Sequence, residues 1–378
     1  MRNIGLYLHF PFCLRKCYYC DFLSYQGMKE WIEPYINALC TELREWKQHL
    51  SDCRVQTIYL GGGTPTIISA EKLAYVLDVC TSSFHVQENA EITIEGNPGT
   101  IRREQLSLLK RAGVNRLSIG LQAWQAKHLE TLGRIHGSED FVNSVDMARN
   151  AGFDNINVDV MFGLPDQTLD EWMETLNRVC MLGIEHVSMY SLKVEEGTML
   201  HTWFSQGKIC LPTHEEDRNM YYSGRDFLCQ HGLEQYEISN FALPGRESSH
   251  NLIYWNNEEY IGCGNGAHSH FNNERFSNLS HIKDYIDAVI TGTSRIEYRE
   301  RISEADQRFE TIMLNLRMVK GISKKSFAQR FGKDIHYYYG DVIRKLVDKK
   351  LLVEDEEYIR LTLRGMDVQN SVLLEFMD

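Results

Sequence analysis

Strand and helix signals alternate through the first half of the chain, and this alternation constrains the fold more than any other feature. Six β-rich segments, each followed by a break and a helical pattern, lie between residues 4 and 198, and they read IGLYLHF, TIYL, AEITIEGNP, NRLSIGLQ, NINVDVMFGLP and EHVSMYSLKVEEGT. Strands joined by helical crossovers form a parallel sheet with right-handed connections. The pattern therefore predicts an α/β protein, either a barrel or a doubly wound sheet.

The residues at the strand ends favour the barrel. A cysteine loop follows the first strand, Gly61–Thr64 follows the second, and Glu95–Pro98 follows the third, while Gln122 and Asp159 stand at the ends of the next two. A β/α barrel collects all its strand ends at one mouth, whereas a doubly wound sheet concentrates its site at one switch point. Because we count six units, we predict a partial (β/α)6 barrel.

The pattern divides the chain into three predicted segments. Residues 1–235 form the partial barrel. Residues 236–300, rich in Asn, Gly and aromatic residues with weak periodicity, predict an irregular extension over the site. Residues 301–378 carry helices followed by a strand–turn–strand pattern, which is typical of a winged-helix-like α+β module.

Net charge and cysteine usage limit the possible partners and the cellular location of the protein. The formal net charge is −12, so we expect no nucleic-acid partner, which would call for a basic surface. No apolar window approaches the roughly 20 residues needed to span a bilayer. The cysteines outside one cluster are scattered, which indicates free thiols and a cytoplasmic location.

That cluster is Cys13, Cys17 and Cys20, spaced C-x3-C-x2-C within HFPFCLRKCYYCDF. A redox pair of Cys17 and Cys20 would leave Cys13 unexplained. A structural zinc site would need a fourth ligand, with His9 as the candidate. A [4Fe–4S] cluster held by three thiolates would keep one iron open for another ligand. Three unliganded structural cysteines form the remaining alternative.

With Tyr19 just before Cys20 and LGGGTPT after the second strand, the chain resembles the radical S-adenosylmethionine (SAM) superfamily. In that superfamily the open iron chelates the amino and carboxylate groups of SAM, and an electron from the cluster cleaves it to a 5'-deoxyadenosyl radical. The form GGGTPT, together with YLHFPFC, resembles the oxygen-independent coproporphyrinogen III oxidase-like family.

The resemblance implies a set of site residues. Cys13, Cys17 and Cys20 would be the cluster ligands. The residues implied to contact SAM are Tyr7, Tyr19, Gly62, Gly63, Thr64, Glu95, Gln122, Arg134 and Asp159. Ala267 and His268 carry a weaker expectation, contact with a second SAM molecule. Taken singly, such residues could also cap helices or lie on solvated faces, but together they stand at successive strand ends.

Two branches of this family share the barrel. The oxidase branch carries another cysteine two residues after the third, where this chain has Phe22. CYYCDF and HNLIYW (His250–Trp255) resemble the haem-chaperone branch instead. That resemblance implies His250 as an axial haem ligand, with Tyr254 and Trp255 packing on the porphyrin, although a loop histidine is more often solvated or hydrogen-bonded.

We therefore predict a haem chaperone that binds haem and a SAM-coordinating [4Fe–4S] cluster and delivers haem to membrane haem proteins such as respiratory enzymes. The alternative is an oxygen-independent coproporphyrinogen III oxidase, and a weaker third hypothesis is a zinc or DNA-linked protein. Whether the chain acts as an enzyme stays open. An electron donor and a second copy of the chain are further candidate partners, and the inner membrane face is a candidate peripheral location.

Overall fold

A twelve-stranded mixed sheet organises the part of the chain that the structure, a computed structural model, describes, which is residues 1–377. In chain order the strands of residues 1–377 are β1 (Arg2–Phe10), β2 (Phe12–Cys13), β3 (Tyr25–Gln26), β4 (Cys53–Gly62), β5 (Val86–Gly96), β6 (Arg116–Gln122), β7 (Ile156–Phe162), β8 (His186–Ser191), β9 (Glu234–Glu237), β10 (Asn240–Ala242), β11 (Tyr260–Cys263), β12 (His268–Phe271), β13 (Glu274–Asn278), β14 (Ile296–Arg301), β15 (Ile322–Ser323), β16 (Leu352–Glu354) and β17 (Tyr358–Leu361). The twelve-stranded sheet holds all of these strands except β2 and β3, which pair with each other, and β15 to β17, which form a third sheet.

The helices pack outside this sheet or build the C-terminal module. They are α1 (Ile32–His49), α2 (Ala70–Ser83), α3 (Arg103–Arg111), α4 (Ala126–Thr131), α5 (Ser138–Asn150), α6 (Leu169–Cys180), α7 (Met199–Ser205), α8 (His214–Gln230), α9 (Ser249–Trp255), α10 (Ile282–Thr291), α11 (Glu304–Asn315), α12 (Lys324–Phe331), α13 (Ile335–Asp348), α14 (Leu363–Asp367) and α15 (Gln369–Leu374). Short 3₁₀ turns occupy Lys29–Trp31 and Pro65–Ile67.

The six predicted strands are confirmed as β1, β4, β5, β6, β7 and β8. They are neighbours in that order and all pair in parallel. The sheet runs from β14 at one edge to β9 at the other without closing, so the predicted α/β fold with a partial, unclosed (β/α)6 barrel is also confirmed. Every residue of β6 is buried, which fits a strand covered on both faces, although Arg116, Ser118 and Gln122 in it are polar.

Local signals place most helix ends. Ser69 lies at the N-cap of α2, although its hydroxyl makes no capping hydrogen bond. Gly113 and Gly183, with φ of +102° and +63°, follow the ends of α3 and α6. A left-handed residue of this kind commonly ends a helix. The sequence pattern did not single out α4 and α5, which fill the connection from β6 to β7.

Residues 236–300 are more regular than their composition indicated. β10 pairs antiparallel with β8 and with β9, which extends one edge of the sheet. β11 pairs in parallel with β1, and β12, β13 and β14 continue that edge in antiparallel pairs. The predicted boundary after residue 235 falls inside β9. The division into three segments stays a prediction.

The C-terminal part forms its own core, with α11–α13 packed beside a three-stranded antiparallel sheet in the order β15-β17-β16. This agrees with the helices and β-wing predicted for the C-terminal segment. Asp378, the last residue of that segment, lies outside the described residues. Arg317 Nε donates to the buried Glu237 carboxylate at 2.9 Å, and Asn315 Nδ2 donates to the Trp255 carbonyl at 2.7 Å. These contacts tie the module to the sheet edge.

Membrane-crossing potential can be read directly from the helices. Among residues 1–377, no helix combines the length and the apolar character that a bilayer-spanning segment requires.

Candidate cofactor site

The ends of the parallel strands surround one cavity of about 370 Å3. Most of the predicted site residues line it, namely Cys13, Cys17, Tyr19, Cys20, Gly62, Gly63, Thr64, Glu95, Gln122, Arg134 and Asp159. Ten of them come from the loop after β1, from β4, β5, β6 and β7 or from the turn after β4, and Arg134 comes from the loop after α4. The structure therefore brings together eleven residues that the sequence placed at separate strand ends.

The cysteine loop crosses this mouth in a fixed conformation. β2, which ends at Cys13, pairs with β3, and the Cys20 amide donates to the Cys17 carbonyl at 3.3 Å. Arg134 Nη1 lies 3.4 Å from the Cys17 sulfur, and Thr64 Oγ1 lies 3.9 Å from the Cys13 sulfur. Two of the three thiols are thus contacted by polar groups from other strand ends.

The three thiols are free and partly buried. Burial raises the pKa of Cys13, and it raises the pKa of Cys20 to about 11. Among residues 1–377, no three His, Cys, Asp or Glu side chains converge on a point that could hold a single metal ion. An iron–sulfur cube differs because each thiolate binds a different iron, so three thiols spread along one loop and facing one cavity fit it.

The glycine loop is shaped by contacts that leave no room for side chains. Gly62 has φ of +111°, and a Cβ on it would lie 2.5 Å from His9 Nδ1. A Cβ on Gly63 would lie 2.6 Å from the Phe12 carbonyl oxygen. The Gly63 amide donates to the Phe10 carbonyl at 2.8 Å, so the glycine loop also holds the start of the cysteine loop.

Glu95 connects the glycine loop with the interior of the sheet. One carboxylate oxygen accepts from the Tyr59 hydroxyl at 2.8 Å, and the other accepts from the Gly62 amide at 3.1 Å. Burial raises the pKa of Glu95 to about 7, against which the hydrogen bond from Tyr59 acts. A carboxyl group with a pKa near 7 can be an anion at neutral pH, and such an anion beside a glycine loop can bind an ammonium group.

Arg134 reaches the cavity from the loop after α4. Its Nη2 donates to the Gly120 carbonyl at 2.6 Å and contacts Asn97 Oδ1, while Asn97 Nδ2 donates to Thr64 Oγ1 at 2.8 Å. Gln122 ends β6 with φ of +72°, an uncommon conformation for a residue with a side chain. Strain of this kind is often found at ligand sites.

Asp159 lies deeper between β6 and β8. Its carboxylate accepts from Asn157 Nδ2 at 2.8 Å and from the Ser118 hydroxyl at 3.2 Å. Burial raises its pKa, and hydrogen bonds from Asn157 and Ser188 act in the opposite direction. All of these donors are uncharged.

Three predicted residues lie apart from the cavity wall. Tyr7 stacks behind Tyr59 with ring centres 6.2 Å apart, and its hydroxyl bonds His9 Nδ1 at 3.0 Å. Ala267 is buried, while His268 is exposed at the start of β12. The structure does not place Tyr7, Ala267 or His268 among the cavity-lining residues.

His250 is also away from the cavity, inside the protein. Its Nδ1 bonds the Thr57 hydroxyl at 2.7 Å, and its Nε2 bonds the Tyr254 hydroxyl at 2.8 Å. Its ring stacks on Tyr59 at 5.0 Å, and burial lowers its pKa to about 3. Both ring nitrogens are therefore engaged, and an iron ligand would have to break one of these bonds.

The neighbouring aromatic residues contact protein as well. Tyr254 packs edge-on against Tyr260 at 4.6 Å, and the Arg317 guanidinium lies 4.5 Å from the centre of the Trp255 ring. Tyr254 thus contacts the sheet edge and Trp255 contacts the C-terminal module, and their packing on a porphyrin face stays a prediction.

Sequence reasoning did not single out Asn97, Arg116, Ser118 or Asn157, although all four line the cavity. A usable signal existed. Side chains alternate between the two faces of a strand, so Arg116 and Ser118 share the face of Gly120 and Gln122, and Asn157 shares that of Asp159. Polar residues at every second position before a predicted site residue on a buried strand were the pattern to follow.

Comparisons with known proteins agree with this geometry. Residues 7–179 match the radical SAM superfamily and residues 302–368 match the HemN C-terminal domain. The chain is 37% identical to the heme chaperone HemW of Bacillus subtilis over 98% of both chains, and 32% identical to that of Escherichia coli over 99% of this chain and 98% of that one.

A solved structure supports the fold. Coproporphyrinogen III oxidase (HemN) from Escherichia coli matches with a TM-score of 0.85 over 99% of this chain and 90% of that chain, at 22% identity. A likeness at this identity shows the fold alone. Together with the near-full-length relatives, the cysteine loop and the strand-end cavity lead to one assignment: the chain belongs to the radical SAM superfamily and, within it, to the HemW family of heme chaperones.

Proposed function

We propose that this chain is a haem chaperone that binds haem and a SAM-coordinating [4Fe–4S] cluster and hands the haem to membrane haem proteins such as respiratory enzymes. The similarity to heme chaperones over nearly the whole of both chains is the observation that carries this proposal. Phe22 supports it from the sequence, because the oxidase branch has a cysteine at that position. Phe22 lines the cavity mouth and is exposed.

The cavity residues have separate tasks in this proposal. Cys13, Cys17 and Cys20 hold the cluster, which when bound supplies single electrons. Glu95 and the glycine loop receive the amino group of SAM, and Arg134 faces its carboxylate. Gln122 and Asp159, on the neighbouring strands β6 and β7, accept hydroxyl groups. Tyr7 acts from behind by fixing His9 against the glycine loop.

The haem site is the less defined half of the proposal. His250 serves as an iron ligand only if its Nε2 leaves the Tyr254 hydroxyl, because Nδ1 is held by Thr57. Such an exchange would couple haem binding to movement of α9, whose end contacts the C-terminal module through Asn315. Ala267 and His268 remain candidates for contact with a second SAM molecule. An electron donor, a second copy of the chain and the inner membrane face complete the proposed partners.

Haem titration under anaerobic conditions tests this proposal. The cluster-loaded chain should bind haem with a defined stoichiometry and a shifted Soret band. Tyr254→Phe removes the hydrogen bond on Nε2, so it should strengthen haem binding if His250 is the ligand, while His250→Ala should weaken it. His85→Ala, at an exposed histidine between α2 and β5, is the matched control.

The outcomes separate the alternatives. Unchanged stoichiometry and spectrum in both His250→Ala and Tyr254→Phe would remove His250 from the haem site. Absence of haem binding in the wild type would overturn the chaperone proposal. Formation of protoporphyrinogen from coproporphyrinogen by the same preparation would favour the oxidase instead.

A further inference from the structure

The concave face of the six parallel strands is polar where a packed barrel would be apolar. Tyr59, Glu95, Ser118, Asn157 and Asp159 all project into the cavity. Barrel interiors of this fold class are usually filled by branched apolar residues. A polar interior on buried strands indicates a chamber built around a charged ligand.

Arg116 lies at the deep end of this chamber. It begins β6, opposite Thr93 of β5, and the next inward residue, Ser118, pairs with Glu95. Two residues along a strand span roughly 7 Å, so an arginine side chain can reach the level of Glu95. Arg116 is 2% exposed and lines the cavity.

The guanidinium of Arg116 has no fixed partner. Its Nε lacks a hydrogen-bond partner among residues 1–377, and none of the ion pairs within 4 Å in that part of the chain includes it. The Thr93 hydroxyl, on the neighbouring strand position, also lacks a partner there. A buried cation without a hydrogen-bonded counter-ion is destabilising unless nearby charges compensate it.

Two buried carboxylates supply that compensation. Glu95 and Asp159 line the same cavity, and their hydrogen bonds come from the uncharged donors described above. Burial is the main cause that raises the pKa of each carboxyl, and the positive charge of Arg116 acts on both in the opposite direction. Of the other cations that line the cavity, Arg134 is occupied by Cys17, Asn97 and Gly120, while Arg15, Lys16 and Lys193 are exposed at its rim.

We propose that Arg116 is a positioning residue, a shared counter-charge that keeps Glu95 and Asp159 as anions ready to bind the ammonium and hydroxyl groups of SAM. This inference rests on the proposed SAM site but does not depend on haem binding. It explains why a guanidinium is buried without a partner: a direct ion pair with either carboxylate would withdraw that carboxylate from the ligand.

Other titratable groups face the same region and must be considered in the test. Besides Glu95 and Asp159, these include Tyr59 on β4, His186 and Tyr190 on β8, Tyr236 and Glu237 on β9 and His250 on α9. Burial keeps both histidines neutral and the three tyrosines protonated near neutral pH, and Glu237 is paired with Arg317. Glu95 and Asp159 are therefore the groups whose charge Arg116 can control in this range.

The first experiment measures SAM binding to the cluster-loaded chain by calorimetry between about pH 6 and pH 8.5. A carboxyl group with a pKa near 7 changes its charge in this range. Arg116→Met should weaken SAM binding about tenfold at pH 7 and move the pH midpoint of binding upward by about one unit. Arg116→Lys keeps the charge and should restore the midpoint. An unchanged midpoint in Arg116→Met, or an equal loss in Arg116→Lys, would overturn the proposal.

A double-variant cycle tests the coupling itself. Arg116→Met changes the logarithm of the SAM dissociation constant by a certain amount in the wild type. In a Glu95→Gln background this change should be smaller by at least about half, because one of the two partners of Arg116 is already neutral. An effect as large as in the wild type would show that Arg116 acts through packing and would contradict the proposal.

A stability measurement keeps the test independent of SAM and covers the case in which Arg116→Met does not fold. Glu95→Gln and Asp159→Asn together leave Arg116 as an uncompensated buried cation. The double variant should therefore melt lower than the two single variants predict by addition. An additive melting temperature contradicts the proposal. Loss of haem binding with normal SAM behaviour would count against the chaperone function alone.

Discussion

Two regions of this molecule carry sequence motifs of equal clarity, and the structure treats them in opposite ways. The cysteine and glycine loops face a cavity, with partly buried thiols and backbone groups directed toward it. The HNLIYW segment forms α9, whose histidine is enclosed and hydrogen-bonded at both ring nitrogens. One region is open to a ligand, while the other is closed by the protein itself.

The difference teaches how to separate a binding motif from a stabilising one. In the cavity, glycines remove side chains so that backbone and thiol groups remain accessible. Around His250, side chains from β4 and α9 complete every hydrogen bond, which is the usual state of a buried polar group. If the comparison is right, loss of a cysteine in the first region chiefly removes ligand binding, whereas loss of His250 in the second lowers stability whether or not haem is present.

The largest expected effect is on the cluster. Cys13→Ala, Cys17→Ala and Cys20→Ala should each lower iron from about four atoms per chain to near zero, since each thiolate holds a separate iron. Iron and labile sulfide analysis after anaerobic reconstitution measures this. Cys210→Ala and Cys229→Ala, at exposed cysteines, should retain the full content. A variant that keeps a complete cluster would exclude that cysteine as a ligand.

The next effect is on stability at α9. His250→Ala should lower the free energy of unfolding by about 2–4 kcal/mol at pH 7, because it leaves a cavity and two buried hydroxyls without partners. Urea unfolding measures this change. The exposed His85→Ala should stay within about 0.5 kcal/mol of the wild type. Equal stability of the two variants would mean that the region around His250 is not closed.

A smaller effect is expected in the glycine loop. Gly62→Ala would place a methyl group against His9, so it should destabilise the chain by about 1–3 kcal/mol more than a control glycine. Gly99→Ala is the matched control, since Gly99 also has positive φ but no atom near its Cβ position. Chemical unfolding of both variants gives the difference. Equal losses of stability in the two variants would show that His9 moves away from the added methyl group without destabilising the chain.

The last effect, the smallest for a change of one pH unit, is a change in the slope of stability with pH. The pKa of Glu95 is raised to about 7, so its protonation stabilises the fold below its ordinary pKa of 4.5, and this contribution is lost as pH rises through 7. Glu95→Gln should therefore gain stability relative to wild type by about 1 kcal/mol per pH unit between pH 4.5 and 7.

Melting curves across that range measure the Glu95 contribution. His250, with its pKa lowered to about 3, acts in the other direction: the stability it provides is present above pH 6.5 and is lost as pH falls. His250→Ala should flatten the acid side of the wild-type curve. A difference between Glu95→Gln and wild type that does not vary with pH would show that Glu95 is not titrating in this window.

The sequence by itself determined the six parallel strands and the positions where the chemistry collects. Strand periodicity, helix ends and glycine-rich breaks are local, so they can be read within a few residues of each other. The C-x3-C-x2-C spacing and GGGTPT are equally local. For that reason eleven of the predicted residues lie together in the cavity.

Tertiary structure alone decided which polar groups are satisfied. The bonds of His250 come from Thr57, 193 residues earlier, and from Tyr254 on its own helix. The strands of residues 236–300 pair with both edges of the sheet, which composition could not indicate. Burial, hydrogen-bond completion and the lone guanidinium of Arg116 depend on contacts between distant segments, and no local pattern encodes those contacts.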